Sequence, residues 1–182
     1  MVGGVPHSRP RVYIVGIKRM GRNQVNFQWP SPVTPCTLDS LLDSGRAPVA
    51  SYDCYPMAET NTVARNLACA LAKIRAYAAK KGGAPEQYAA IVDVGGSNCN
   101  VGIGRCPCIT KTRAQSFAFY SLQHGSPLTL REMLKLQGFT ADEISHMNMV
   151  GRPSQVGGLV GNAFTKTVLA AALRQAIVAS EG

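Results

Sequence analysis

Between Gly4 and Lys18 the chain reads GVPHSRPRVYIVGIK, and this stretch limits the possible folds more than any other. Pro10 lacks an amide hydrogen and disfavours the helical region for Arg9. On extended backbone Arg9 and Arg11, two positions apart, project from the same side. Val12 to Ile17 then run on without polar alternation, a pattern that predicts a strand buried on both faces of a larger sheet. Such a strand requires neighbours at its edges and layers above and below it.

Charge narrows the partners. Against 10 Asp+Glu the chain carries 19 Lys+Arg, a net +9 that favours a polyanion such as nucleic acid. A hydrophobic content of 46% excludes disorder by composition. No apolar run approaches the roughly 20 residues of a membrane span, and Met1 to Pro10 lacks the apolar core of a secretory signal, so the expectation is an intracellular chain with no membrane partner. The cysteines (Cys36, Cys54, Cys69, Cys99, Cys106, Cys108) contain one close pair and no second, so no metal site is expected and reduced thiols are.

After the opening strand, 19–35 is a turn-rich passage with Pro30, Pro32 and Pro35. Asp39 to Leu42 predicts a short helical turn. Helical spacing of Val63, Leu67, Ala70, Leu71, Ile74, Tyr77 and Ala78 predicts a helix from about Thr60 to Lys81, stopped by Gly82-Gly83. Its Arg65, Lys73, Arg75, Lys80 and Lys81 read better as a solvated face than as a DNA contact. Tyr88 to Val94 predicts a short strand, and Gly95 to Gly104 a loop or tight bend; that loop lacks the Lys-Ser/Thr ending of a phosphate-binding loop. Thr129 with Glu132, and Thr140 with Glu143, are capping-box pairs that start two short helices, the first stopped at Gly138 and the second running from about Ala141 to His146. Gln155 to Asn162 reads as a glycine-rich turn delivering Asn162 as the cap of a last helix, whose packing face is Phe164, Val168, Leu169, Ala172, Leu173, Ala176 and Ile177.

Three of these stretches resemble, in order, conserved motifs of the DNA (cytosine-5) methyltransferases. GVPHSRPRVYIVGIKR is similar to the eighth motif, with Arg9 and Arg11 matching its Gln-x-Arg-x-Arg element and His7 standing in place of Gln; LTLREMLKLQGF resembles the ninth, and QVGGLVGNA the tenth. Arg105 to Tyr120 resembles the closing part of that family's target-recognition region. The resemblance implies an α/β fold: a partial S-adenosylmethionine-dependent methyltransferase (Rossmann-like) domain plus a small irregular α+β target-recognition region. It divides the chain into 1–38, the end of the catalytic sheet; 39–127, the recognition region; and 128–182, the helices returning to the catalytic domain.

By the same resemblance Arg9 and Arg11 support catalysis at the base, Asn162 and Ala163 line the S-adenosylmethionine pocket, and Thr110, Lys111 and Arg113 contact double-stranded DNA. The expected activity is methyl transfer to C5 of cytosine. It requires a cysteine nucleophile from Pro-Cys-Gln, a glutamate from Glu-Asn-Val and an extruded base, and the first two are not found here. Pro35-Cys36 and Pro107-Cys108 are not followed by Gln. The expectation is therefore a C-terminal portion, inactive alone, whose partner is a missing N-terminal catalytic part in cis or on a separate chain, in the nucleus if the source is eukaryotic. The competing readings are a non-catalytic DNA-binding partner, a degenerate methyltransferase, or a fragment of a tRNA cytosine-5 methyltransferase.

Overall fold

The computed structural model describes residues 4–18, 26–55, 61–147 and 150–181. Its elements are α1 (Thr62–Lys81), β1 (Ala90–Asp93), β2 (Asn100–Ile103), α2 (Lys111–Gln115), β3 (Phe119–Ser121), β4 (Ser126–Pro127), α3 (Leu130–Leu136), α4 (Ala141–His146), α5 (Pro153–Asn162) and α6 (Lys166–Glu181), with a 3-10 turn at Asp39–Leu41. The strands form a four-stranded sheet in the order β2-β1-β3-β4, each pair antiparallel. The chain is thus mixed α/β. This sheet lies wholly within 39–127, where a small α+β region is expected, and because its strands all pair antiparallel it is not itself a parallel Rossmann-like layer; among the described residues no such layer forms.

Alternation along β1 sends its side chains to two different cores. Ala90 and Val92 join Leu67, Ala70, Leu71 and Ile74 of α1 with Tyr52 and Tyr55. Ile91 faces the other way, into a cluster with Phe119, Ile109, Leu128, Met133, Leu136 and Val160. One helix therefore covers one face and α2, α3 and α5 the other. The second cluster also holds Leu38 and Leu42, so residues on both sides of the expected 127/128 boundary share one core.

Local chemistry accounts for the helices. Asn61 caps α1 by accepting from the Ala64 amide at 2.9 Å, Lys80 and Lys81 occupy its last turn, and Gly82 leaves it at φ 81°. Most of the expected stripe is buried, while Val63 and Tyr77 lie at its margins. Both capping boxes form as the sequence predicts, and Gly138 adopts φ 90° after α3. The Gly95 to Gly104 segment is only partly a loop. Its second half is β2, which pairs along the whole of β1.

Three sequence expectations fail, each for want of something to pack against or because something distant packs instead. Val12 to Ile17 is not a buried strand: it joins no sheet among the described residues, and Val12 and Ile14 are 88% and 92% exposed. Tyr13, Val15 and Ile17 on the opposite side are half-buried, with the Tyr13 ring 6.1 Å from Phe164. Of the expected packing face, Ala172 of α6 is buried, but Leu173 and Ile177 of α6 and Phe164 just before it are exposed. Finally, the Gly-rich stretch is not a turn. It is α5, and Asn162 is its last residue rather than the cap of α6.

Helix α3 is anchored by a carboxylate whose burial no local pattern foretells. Glu132 is fully buried, and its two oxygens accept from the Thr129 amide (2.8 Å), the Asp43 amide (3.1 Å) and the Arg46 guanidinium (2.5 Å). Arg46 also reaches the Ser126 hydroxyl and the Pro127 carbonyl, so one ion pair ties the 43–46 loop, β4 and α3 together. Removing one partner of a buried pair leaves the other charge uncompensated. Glu132→Gln is expected to destabilise the fold by about 3 kcal/mol, read as a lowered urea midpoint with an unchanged slope.

Candidate nucleic-acid interface

Glycine inside a helix costs roughly 1 kcal/mol relative to alanine, so the glycines of α5 need a reason. Gly157 and Gly161 are four apart and share a face. A Cβ on Gly157 would lie 2.5 Å from the Ala114 carbonyl oxygen, and one on Gly161 would lie 2.5 Å from the Thr110 carbonyl oxygen and 2.6 Å from Lys111 Cα. The two glycines let the backbone of α5 rest directly on that of α2. Pro153 at the first position presets α5.

Arg9 closes this crossing from a third direction. One guanidinium nitrogen donates to the Ile109 carbonyl, just before α2, and the other to the Gly161 carbonyl at 3.1 Å, near the end of α5. Upstream, the backbone zips onto the same segment: the Cys106 amide donates to the Pro6 carbonyl (2.7 Å) and the Ser8 amide to the Cys106 carbonyl (2.9 Å). His7 is buried, and its Nε2 accepts from the Ile109 amide at 3.0 Å. Burial, reinforced by the charges of Arg9 and Arg11, lowers the His7 pKa to about 4. Burial and then the charge of Arg11 lower that of Arg9.

The expected site residues divide in two. Arg9, Thr110 and Lys111 converge on the α2–α5 crossing, whose Gly161 is followed by Asn162 and Ala163. Thr110 and Lys111 are exposed, and Thr110 precedes α2 without capping it through its side chain. Arg11 is exposed and donates to the Pro10 carbonyl at 2.9 Å. Among the described residues no carboxylate pairs with Arg9, Arg11 or Lys111. Arg113, by contrast, turns to the sheet and pairs with Asp93 at 3.3 Å. Sequence reasoning misses His7 as a backbone acceptor and the i, i+4 glycine pair as a contact surface, although that spacing is visible in the chain.

Asn162 is exposed, and Ala163 is half-buried with its amide spent on the Leu159 carbonyl at 2.9 Å, closing α5. The cavity of about 610 Å³ elsewhere in the fold is lined by Val5, Val33, Leu41, Phe139 and Thr167 among others, not by Asn162 or Ala163. Of the two Pro-Cys thiols, Cys36 is exposed and Cys108 half-buried. Among the described residues no single helix is long and apolar enough to cross a membrane. No protein-family model, curated protein or solved structure matches the chain.

The glycines can be told apart by substitution. A methyl on Gly158 would meet nothing closer than 3.8 Å, so Gly158→Ala is expected to stabilise by up to about 1 kcal/mol through helix propensity, whereas Gly161→Ala, which meets backbone, should cost about 1–3 kcal/mol; thermal melts would separate them. His7 supplies a pH signature. Its folded pKa lies below the unfolded value of 6.5, so between those values the unfolded chain binds more protons. The stability is complete above about pH 6.5 and falls, by an amount on the order of 3 kcal/mol, as the pH drops towards 4. His7→Gln, whose side-chain oxygen can still accept from Ile109, should flatten that part of the stability–pH curve.

Proposed function

We propose that this chain is the C-terminal portion of a DNA (cytosine-5) methyltransferase, contributing DNA recognition to the transfer of a methyl group from S-adenosylmethionine to C5 of cytosine. One observation carries the reading. The stretches that resemble the family's eighth motif, its tenth motif and its recognition region are far apart in sequence yet meet at one point, where Arg9 bridges the carbonyls of Ile109 and Gly161. A chance likeness of separate short motifs gives no reason for them to touch.

The surface around that point has the character duplex DNA requires. Arg11 and Lys111 are exposed cations with no carboxylate partner among the described residues, suited to phosphate contacts that fix register, and the exposed Thr110 hydroxyl can donate or accept at a base edge. Arg9 positions this surface. Its guanidinium is committed to two carbonyls, so its part is to hold the Arg11 segment against α2 rather than to reach a base. Arg113, held by Asp93, supports the same segment from beneath.

The apolar residues left in solvent favour a catalytic partner part, in cis or on a separate chain. Val12 and Ile14 on the extended segment, with Phe164, Leu173, Ile177 and Val178 of the α6 region, expose large side chains that a completed sheet and its covering layer would bury. In this reading the nucleophile, the glutamate and most of the cofactor site belong to that part, and the isolated chain is inactive. Asn162 and Ala163, at the close of α5, contribute one wall of that cofactor site.

The chain alone is expected to bind duplex DNA with an affinity that falls steeply between about 50 and 200 mM salt. Arg11→Ala with Lys111→Ala, both at exposed positions, should weaken binding for all sequences and reduce the log–log salt slope by about 2. Fluorescence anisotropy reads both quantities. Binding that is indifferent to the double substitution would count against this surface, and a covalent adduct of Cys36 or Cys108 with DNA containing 5-fluorocytosine would show that the chain carries its own nucleophile.

A further inference from the structure

Away from the α2–α5 crossing, the turn joining β1 to β2 is strapped to one face of α1. The Asn66 amide donates to the Val94 and Gly96 carbonyls (3.2 and 2.8 Å), Arg65 to the Ser97 carbonyl (3.1 Å) and Lys73 to the Cys99 carbonyl (2.8 Å). The Cys99 thiol reaches back to the Asn66 carbonyl at 3.5 Å. Cys69 lies between Asn66 and Lys73 on the same face of the helix, and its thiol is near enough to that of Cys99 to raise the Cys99 pKa. Both thiols line an open pocket of about 370 Å³ with Arg65 and Lys73 at its rim. This half-buried pair is placed differently from Cys36 and Cys54, which are exposed, and from Cys106, which is buried.

We propose that Cys69 and Cys99 form a redox modification site, at which a hydroperoxide converts the two thiols to an intramolecular disulfide that fastens the β1–β2 turn covalently to α1. Cys69 attacks the outer peroxide oxygen. An S–O bond forms, the O–O bond breaks, and the departing oxygen takes a proton to leave as water or an alcohol. The Cys99 sulfur then attacks the sulfenic sulfur of Cys69, the S–S bond forms, the S–O bond breaks, and water leaves with the Cys99 proton. Two thiols lose two electrons and the hydroperoxide gains them.

The order of events follows from the surroundings. Partial burial and the Cys69 thiol push Cys99 up to about 11 against the opposing pull of Lys73, so at neutral pH Cys99 is a protonated thiol and a poor first nucleophile. The polar straps already hold the turn in place, so closing the bond demands little rearrangement. The turn begins just past Asp93, the carboxylate that holds Arg113, so the cross-link would stiffen the floor beneath α2.

The test is peroxide treatment of the full chain, alkylation of remaining thiols in denaturant, and peptide mapping by mass spectrometry without reduction. The expected result is a Cys69–Cys99 cross-linked peptide from monomeric protein, loss of two of the six alkylatable thiols, reversal by dithiothreitol, and a Tm raised by something on the order of 10 °C. Cys69→Ser and Cys99→Ser should each abolish the cross-linked peptide, but the wild-type map stands without them if either variant folds poorly. Free Cys69 and Cys99 after Cys36 and Cys54 have been consumed would overturn the proposal. So would a bond from either to a different cysteine, or a cross-link that leaves Tm unchanged.

Discussion

The contact on which the candidate site depends is the guanidinium of Arg9 held between the carbonyls of Ile109 and Gly161. Each of those carbonyls lies at the end of an element: Ile109 comes just before α2, and Gly161 is near the close of α5. A planar group with donors in a fixed fork can satisfy both at once, which a lysine could not do with the same geometry. The charge it brings is only partly buried, and carbonyls rather than a carboxylate receive it. The neighbourhood therefore stays electropositive, and the exposed cations Arg11 and Lys111 add to that field.

That bridge is possible only because α2 and α5 meet backbone to backbone. Gly157 and Gly161 remove the side chains that would otherwise keep the helices apart, and the intrinsic helical cost of glycine is offset by close packing over the Phe119 and Ile109 core. The buried Glu132–Arg46 pair plays the corresponding role at the β4 edge of the sheet, fixing α3 against the 43–46 loop. The two devices divide the labour: one holds the helices that carry the cationic surface, and the other holds the frame in which those helices sit.

Much of this was legible in the order of residues, though unevenly. Capping boxes are local, so Thr129 with Glu132 and Thr140 with Glu143 could be read directly, as could the helix that begins after Asn61. The glycine-rich stretch misled because glycine signals a turn unless something across space rewards its presence in a helix. Here that something is the backbone of α2 from Thr110 to Ala114, which lies far back along the chain. Val12 to Ile17 misled in the opposite sense. Its composition describes a strand with neighbours on every side, yet among the described residues none pair with it, so the chain is extended and half in solvent. Arg113 looked equivalent to Lys111 in sequence, and only the position of Asp93 on β1 decided that it should face inward.

The sequence by itself determined the starts and stops of α1, α3 and α4 and the cationic excess, because each follows from a few adjacent residues or from a sum over all of them. The tertiary structure decided which cations are committed and which face solvent, why glycines belong inside α5, and that Arg9, Thr110 and Gly161 share one site. Those outcomes depend on groups brought together from opposite ends of the chain, and no local propensity encodes where a distant carbonyl or carboxylate will come to rest.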